Sequence, residues 1–304
     1  LLSLVCRKLG IPSEIVAIST SQGFLVEDHP ADQFDHVFLR AKLADGWVYL
    51  DAASTLSTFG NPPAWCQGMK VLVLDEEGTV IQIPVDDCAA NRVQITETFH
   101  NRDGTWLDGE FEMQATGHLG RLMDDRWKSY SLAMSDPIQA AQEALRLYFP
   151  FALVTEAAKL SDTSSSSRFV VSGKHRRGPL VSLGKKRLDI GRLSWELPSL
   201  PISYWRGLQI DKLFVVDFPM QADLEVRILG ELRRSVNDIS QVESLANDIA
   251  DVTHHTTEEA DSIGFQRKIK FKRKYIQDEL LVESTPTLER IEQALQSVIS
   301  FDGA

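Results

Sequence analysis

The sequence predicts an α+β protein with two domains, and three observations support this prediction. Leu1, Val5 and Leu9 recur at helical spacing, an Asp-Gly turn near position 45 separates two apolar segments, and residues beyond 90 alternate between polar and apolar side chains. At 304 residues the chain is long enough for two separate hydrophobic cores. We expect one domain at residues 1–84 and a second at residues 85–304.

The first domain is predicted to contain a helix followed by strands. Gly10 and Pro12 end the helix, because glycine adopts the left-handed backbone of a helix end and proline does not continue a helix. Residues 15–18 are an apolar run typical of a buried strand. Residues 34–41 and 47–51 are apolar and β-branched segments around the Asp-Gly turn, which predicts a β-hairpin.

The hairpin places His36 near its open end and Asp51 at the end of its second strand. A carboxylate that binds one imidazole nitrogen orients the ring, so that the other nitrogen can deprotonate a nucleophile. A two-residue turn at Asp45-Gly46 sets Asp51 opposite Arg40 and leaves His36 about 13 Å further along its strand. Contact then needs a bulge, a longer turn or strong twist. From the residues alone, an exposed histidine and a strand-ending aspartate is the favoured interpretation.

The order of these elements resembles a known family. A helix ending in Gly-Ile-Pro, a strand, a loop, then Phe-Asp-His-Val and Tyr-Leu-Asp is similar to the transglutaminase-like branch of the papain-like cysteine enzymes. Within it, the chain most resembles bacterial envelope-associated proteins with a β-rich C-terminal domain. The resemblance implies catalytic roles for His36 and Asp51. It also implies that residues 1–84 are the C-terminal half of a papain-like core, and that an antiparallel β-sandwich follows.

The nucleophile of this family lies outside the sequence. In members of this family, a Gly-Asp-Cys segment begins the helix that ends at Gly-Ile-Pro. The resemblance therefore implies that the reactive cysteine precedes Leu1. The chain is therefore expected to be a fragment that is inactive by itself. Cys6 shares a helical stripe with Leu2 and Leu9 near the end of the helix, where the helix dipole disfavours a thiolate. We expect Cys6 to be a small core residue.

No cofactor or metal site is expected. Cys66 and Cys88 lie in loop-like surroundings and would be able to pair in an exported protein, but the sequence does not determine their separation. Three cysteines without a Cys-x-x-Cys spacing disfavour a zinc site. His254 and His255 lack ligand-spaced partners, and we interpret them as part of a polar loop.

The second domain is predicted to consist of alternating strands with a helical insertion near residues 120–160. Asp136 and Pro137 are good first residues for the helix that forms part of this insertion. We expect a further short helix at 151–160 and a terminal helix at 286–299 with an amphipathic stripe. Arg126 is interpreted as a structural residue that pairs with a carboxylate.

The segment from residue 264 to 276 is predicted to be a long strand with lysines on one face. A lysine face is found on nucleic-acid-binding proteins, but it also keeps an outer sheet face soluble. The net charge of −11 and the lack of aromatic residues among the lysines favour a solvated face and argue against a nucleic-acid partner, so none is expected. No apolar run approaches the roughly 20 residues of a transmembrane helix, so no transmembrane segment is expected.

The resemblance implies one function, and a second of a different class stays open beside it. The first is a thiol acyl-transferase, amidase or peptidase that acts on a peptide or protein amide. The second is a non-catalytic binding or scaffolding module with an envelope protein, peptide or polysaccharide partner. By resemblance, either protein is expected in the periplasm or cell envelope of a Gram-negative bacterium.

Overall fold

A computed structural model describes most of the chain, which forms two compact units, Leu1–Asp86 and Asp87–Ala304. The described residues are 1–19, 33–53, 57, 59–60, 66–101, 107–146, 148–149, 152–160, 168–177, 180–182, 185–188, 213–215, 220–229, 244–246, 248, 250–259, 261–272, 275–277 and 299–302.

The described part of the first unit is an antiparallel sheet with one short helix packed on it. The helix ends at Lys8, and Gly10 follows with φ +69°, as its position after the apolar stripe predicts. The elements are α1 (Leu2–Lys8), β1 (Ser13–Ile18), β2 (His36–Leu43), β3 (Gly46–Leu50), β4 (Lys70–Val73) and β5 (Val80–Gln82). The strands pair in the order β3-β2-β1-β4-β5.

The two faces of this sheet have different neighbours, because successive side chains of a strand point to opposite faces. On one face, Leu39 and Ala41 pack against Cys6 of α1. Cys6 is buried there, as expected for a small core residue. Phe38 lies on the opposite face, beside the ring of Tyr49. The hairpin therefore supplies the packing surface for α1 and, on its other side, a separate aromatic surface.

The second unit is organised by a mixed eight-stranded sheet with the order β14-β15-β16-β13-β6-β7-β9-β8. Strands β6 and β13 pair in parallel, and the other neighbours are antiparallel. Its elements are β6 (Arg92–Asn101), β7 (Leu107–Thr116), α2 (Gly117–Ala133), α3 (Pro137–Leu145), β8 (Ala152–Lys159), β9 (Arg168–Arg177), β13 (Met220–Leu229), β14 (Ser244–Ala246), β15 (Ala250–Glu258) and β16 (Ser262–Phe271).

The remaining described strands of this unit form two smaller sheets. One has the order β10-β11-β18, and the other pairs β12 with β17. The strands are β10 (Leu180–Ser182), β11 (Lys185–Leu188), β12 (Leu213–Val215), β17 (Tyr275–Gln277) and β18 (Ile299–Asp302).

Helices α2 and α3 pack together, with α2 against β6, β7 and β9 and α3 against β8. Gly117 begins α2 with φ +62°, and a Cβ at this position would lie 2.2 Å from the carbonyl oxygen of Ala90. The Asn91 side chain accepts the next backbone N–H of the helix at 2.8 Å. Asp136 caps α3 as predicted, by accepting the N–H of Ile138 at 2.8 Å.

The predicted fold class is wrong. We expected an α+β chain with half of a papain-like transglutaminase core and an antiparallel β-sandwich, but the described chain is mostly β-sheet. The described part of the first unit has one helix of seven residues, and the principal sheet of the second unit is mixed and carries α2 and α3. Alternating polarity shows that one face of a sheet is buried. It does not show whether helices or a second sheet cover that face.

Several local predictions are also wrong. The expected helix at 151–160 is strand β8, and the expected polar loop at His254 and His255 lies within β15. The strand predicted to run to residue 276 ends at Phe271. Short segments are easily misread, because tertiary pairing overrides local preference.

Two further predictions concern the helices. Arg126 is structural, but its guanidinium donates to the carbonyl oxygens of Glu143 and Ala144, at 2.8 and 2.9 Å, rather than to a carboxylate. These carbonyls belong to the last turn of α3, which has no intrahelical donors for them. The terminal helix expected at 286–299 lies outside the described residues up to position 298, and Ile299 is the first residue of β18.

A buried charged cluster crosses the eight-stranded sheet. Glu97 of β6 accepts a hydrogen bond from Arg177 of β9 at 2.8 Å, and His175 Nε2 lies 3.2 Å from the same carboxylate oxygen. Between them, Gly109 of β7 has no side chain, and a Cβ there would lie 2.7 Å from Phe99 and 2.8 Å from His175. The two rings therefore stack with centroids 5.1 Å apart.

Burial shifts the titration of this cluster. Desolvation, with the nearby Arg177 charge, lowers the pKa of His175 from 6.5 to about 3. Desolvation also raises the pKa of Glu97, against the opposing effect of Arg177. His175 is therefore neutral in the folded protein near neutral pH, whereas the unfolded chain binds a proton at this residue below about pH 6.5.

This difference predicts a pH-dependent contribution of His175 to stability. The contribution is fully present above pH 6.5 and is lost as the pH falls towards 3, because the unfolded state then binds more protons. From pH 7 to pH 5 the loss amounts to about 2 kcal/mol. His175→Gln should therefore destabilise the protein less at pH 5 than at pH 7, as measured by urea unfolding. His255→Gln, at an exposed position, is the control, and an equal cost of His175→Gln at both pH values would contradict the prediction.

The outer edge of β8 is closed by a side chain of α3. The Gln142 amide donates to the carbonyl oxygen of Ala152 at 2.8 Å and accepts the N–H of Val154 at 2.7 Å. These two bonds repeat the pattern that a neighbouring strand would make. Gln142 thus satisfies two backbone groups on a sheet edge, where unpaired groups invite association with other chains.

Gln142→Ala is expected to open this edge. Loss of both bonds should lower the free energy of unfolding by about 1–2 kcal/mol and accelerate amide hydrogen exchange at Val154. Gln139→Ala, on the exposed side of the same helix, should change neither quantity. If the Val154 amide exchanges as slowly in the Gln142 variant as in the wild type, the two Gln142 hydrogen bonds do not stabilise the edge of β8.

Candidate functional site

The structure brings His36 and Asp51 into direct contact. His36 Nε2 lies 2.9 Å from Asp51 Oδ2, within hydrogen-bonding distance. The Asp51 side chain is 1% exposed, whereas the His36 side chain is 21% exposed. The pair thus has a buried carboxylate and an imidazole that solvent reaches.

The register of the β2–β3 hairpin produces this contact. Leu39 pairs with Leu50 and Leu43 with Gly46, so the two turn residues are Ala44 and Asp45. The turn was expected one residue later, at Asp45-Gly46. Moving it by one residue shifts the pairing by two positions along one strand, which leaves every side chain on its predicted face.

The shifted register explains how the two side chains meet. Continuing it by one residue beyond β3 sets Asp51 across from Phe38 instead of Arg40. His36 is then two residues from Phe38 on the same strand face, a diagonal neighbour of Asp51 at about 7–8 Å between backbones. Two side chains span that distance, so the bulge considered from the sequence is unnecessary.

Asp51 is held by a second contact. Its other carboxylate oxygen, Oδ1, accepts the backbone N–H of Ala53 at 2.9 Å. An aspartate that bonds the N–H two residues later forms an Asx turn, which fixes the rotation of the carboxylate. Oδ1 therefore contacts the backbone of Ala53, and Oδ2 contacts the ring of His36. This arrangement orients the ring before any substrate binds.

Aromatic and charged residues extend along the same sheet face. The ring of Phe38 lies 6.3 Å from that of His36 and 6.1 Å from that of Tyr49. Burial raises the pKa of Tyr49, with Arg40 acting in the opposite direction. Arg40 binds Glu14 at 2.5 Å and stacks over Trp47 at 4.3 Å.

None of the three cysteines is placed as an exposed partner of the pair. None of the three forms a disulfide bond, and Cys6 and Cys66 are buried while Cys88 is half-buried. Cys6 packs against Leu39 and Ala41, on the sheet face opposite to Phe38. Cys88 belongs to the second unit, and burial raises the pKa of its thiol.

Within the described ranges, no group of three or more His, Cys, Asp or Glu side chains is arranged to hold a metal ion. None of the described helices has the length and apolarity needed to cross a membrane.

The sequence identified His36 and Asp51 but missed the Ala53 amide. The Asp-Ala-Ala-Ser turn after β3 was the available signal, because aspartate commonly binds a backbone N–H two residues ahead.

Comparison with known proteins identifies no family. No family model matches the chain, and no curated protein does. Among solved structures, it is similar to the crystal structure of a "putative protease" from Parabacteroides distasonis, with 14% identity and a TM-score of 0.43. The alignment covers 99% of this chain and 42% of that protein, so the chain spans less than half its length.

The geometry of the pair predicts a measurable effect of Asp51 on stability. Asp51→Ala leaves both the His36 ring and the Ala53 N–H without this acceptor, and should lower the free energy of unfolding by about 1–3 kcal/mol. Asp51→Asn keeps an oxygen for the Ala53 N–H and should cost less. Asp45→Ala, at an exposed turn position, is the control with an expected change within about 0.5 kcal/mol. Equal stability of the two alanine variants in urea unfolding would contradict the prediction.

Proposed function

We propose that His36 and Asp51 are the general base and its orienting carboxylate in a thiol-dependent site that cleaves an amide by taking up its acyl group, which then passes to water or to another amine. The strongest support is the 2.9 Å contact between the solvent-accessible imidazole of His36 and the buried carboxylate of Asp51, which also accepts a second hydrogen bond. The similarity of the hairpin motifs to transglutaminase-like enzymes supports the same roles. The substrate class is a peptide or protein amide.

The orientation of the ring determines which nitrogen takes part. A carboxylate only accepts hydrogen bonds, so Nε2 of His36 carries the proton that faces Asp51. Nδ1 is then the nitrogen that accepts a proton from a thiol as its sulfur attacks the amide carbon. The same nitrogen returns the proton to the departing amine. Asp51 stabilises the imidazolium that exists between these two steps.

The thiol in this proposal belongs to a segment before α1, as the resemblance implies. His36 is the first residue of β2, so its ring lies at an end of the sheet. A group from outside this hairpin can approach the ring there. We expect the 304-residue chain by itself to be inactive, and the resemblance suggests the cell envelope as the location of the protein.

A binding module without catalytic turnover is the second candidate. Cys6 and Cys66 of the first unit are both buried, so neither offers the described site an accessible thiol. In such a module the His36–Asp51 pair would act only as a structural contact. Its partner would be an envelope protein, a peptide or a polysaccharide.

Activity of the longest natural form of the protein distinguishes the two candidates. Amide hydrolysis and incorporation of a labelled amine are measured in wild type, His36→Ala and Asp51→Asn. The catalytic proposal expects each variant to lose about 10²- to 10⁴-fold in rate, because each disables proton transfer.

Glu14→Gln is the matched control. Glu14 is a carboxylate of the same unit, and it forms a salt bridge with Arg40 rather than with His36. This variant should keep the wild-type rate, with folding of each variant checked by circular dichroism. Unchanged activity of His36→Ala, or no activity in the wild type, would refute the catalytic role and favour the binding module.

A further inference from the structure

A second concave site lies on the eight-stranded sheet of the other unit. A cavity of about 270 Å³ opens on the face where β15, β16, β13 and β6 run side by side. Polar side chains from all four strands line it, including Gln94, Asp223, Glu225, His255, Gln266 and Lys268. These residues do not overlap with the His36–Asp51 pair, which belongs to the first unit. We refer to this cavity as the sheet groove.

Strand register orders the polar groups of the sheet groove. Glu225 lies across from Gln266, and Asp223 lies across from Lys268 in the next row of the same face. His255 continues the first row on β15, and Gln94 continues the second row on β6. Glu225 and Lys268 are thus diagonal neighbours, with about 7–8 Å between their backbones.

The two carboxylates of the groove differ in their partners. Asp223 is bound by the guanidinium of Arg92 and by the side-chain amide of Gln221 at 2.8 Å. The side chains of Glu225 and Lys268, within the described structure, form no hydrogen bond or ion pair with each other or with another residue. The groove therefore presents one carboxylate and one ammonium group that are both available to a ligand.

Two other pairs of opposite charges on the same face are in direct contact. Arg176 binds Asp108 at 2.8 Å, and Lys174 binds Glu156 at 3.0 Å. Because Glu225 and Lys268 have opposite signs, the groove offers neither a purely cationic surface to phosphate nor a purely anionic one to a metal ion. A ligand that carries both charges complements it best.

We propose that the sheet groove binds a dipeptide with free ends. Its ammonium group would contact Glu225, its carboxylate would contact Lys268, and the side-chain amide of Gln266, which lies across from Glu225, would bind its central peptide group. Two extended residues span about 7 Å, so the two ends of a dipeptide can reach side chains that extend from diagonal positions, whereas a single amino acid reaches about half as far. The proposal does not depend on the catalytic role of His36.

Titration of the 304-residue chain with L-alanyl-L-alanine tests this assignment. Nuclear magnetic resonance or calorimetry should show saturable binding in the millimolar range or tighter. N-acetyl-alanyl-alanine lacks the ammonium group and alanyl-alanine amide lacks the carboxylate, so each should bind at least about tenfold more weakly. Glucose, as a neutral polar ligand, should not bind.

Variants assign each end of the dipeptide to its partner. Glu225→Gln should abolish the preference for the free amine, and Lys268→Met should abolish the preference for the free carboxylate. Glu110→Gln and Lys174→Met, on the same face outside the groove, should behave as wild type. Absence of saturable binding, equal binding of the capped dipeptides or of glucose to wild type, or equal losses in the control variants would overturn the proposal.

Discussion

The register of one hairpin determines what the first unit can do. Pairing Leu39 with Leu50 directs these two side chains towards Cys6 of α1, and the same register brings Asp51 beside Phe38 and within reach of His36. A shift by a single residue would exchange the two faces. The helix would then lose its packing surface, and the imidazole would lose its carboxylate. Packing and the candidate site are therefore two consequences of the same strand pairing.

The second unit depends on a different constraint, the burial of charge across three strands. Glu97 and Arg177 are separated by β7, and they meet because Gly109 leaves room for the stacked rings of Phe99 and His175. A buried ion pair contributes little net stability compared with apolar packing, but breaking one partner is costly. The cluster thus favours one register for β6, β7 and β9 over the alternatives.

The charged side chains of the two candidate sites differ in whether they already have partners. In the first unit, Asp51 is fully engaged by His36 and Ala53, so its charge serves to orient a neighbouring group. In the second unit, Glu225 and Lys268 face a cavity without being engaged, so their charges are available for recognition. Preorganised contacts suit proton transfer, whereas unpaired groups in a concave site suit ligand binding.

The resemblance of the hairpin motifs, rather than their spacing, pointed to the pair His36 and Asp51. The residues alone were enough to predict three local features: the helix ending before Gly10, the β2–β3 hairpin and the cap at Asp136. These follow from spacing and turn chemistry within a few residues. The three-dimensional arrangement was needed to show that the described chain is mostly β-sheet, that β6 pairs in parallel with the distant β13, and that the hairpin turns at Ala44-Asp45. The reason is physical: alternation identifies a buried face but not what covers it, and pairing between distant strands leaves no local pattern.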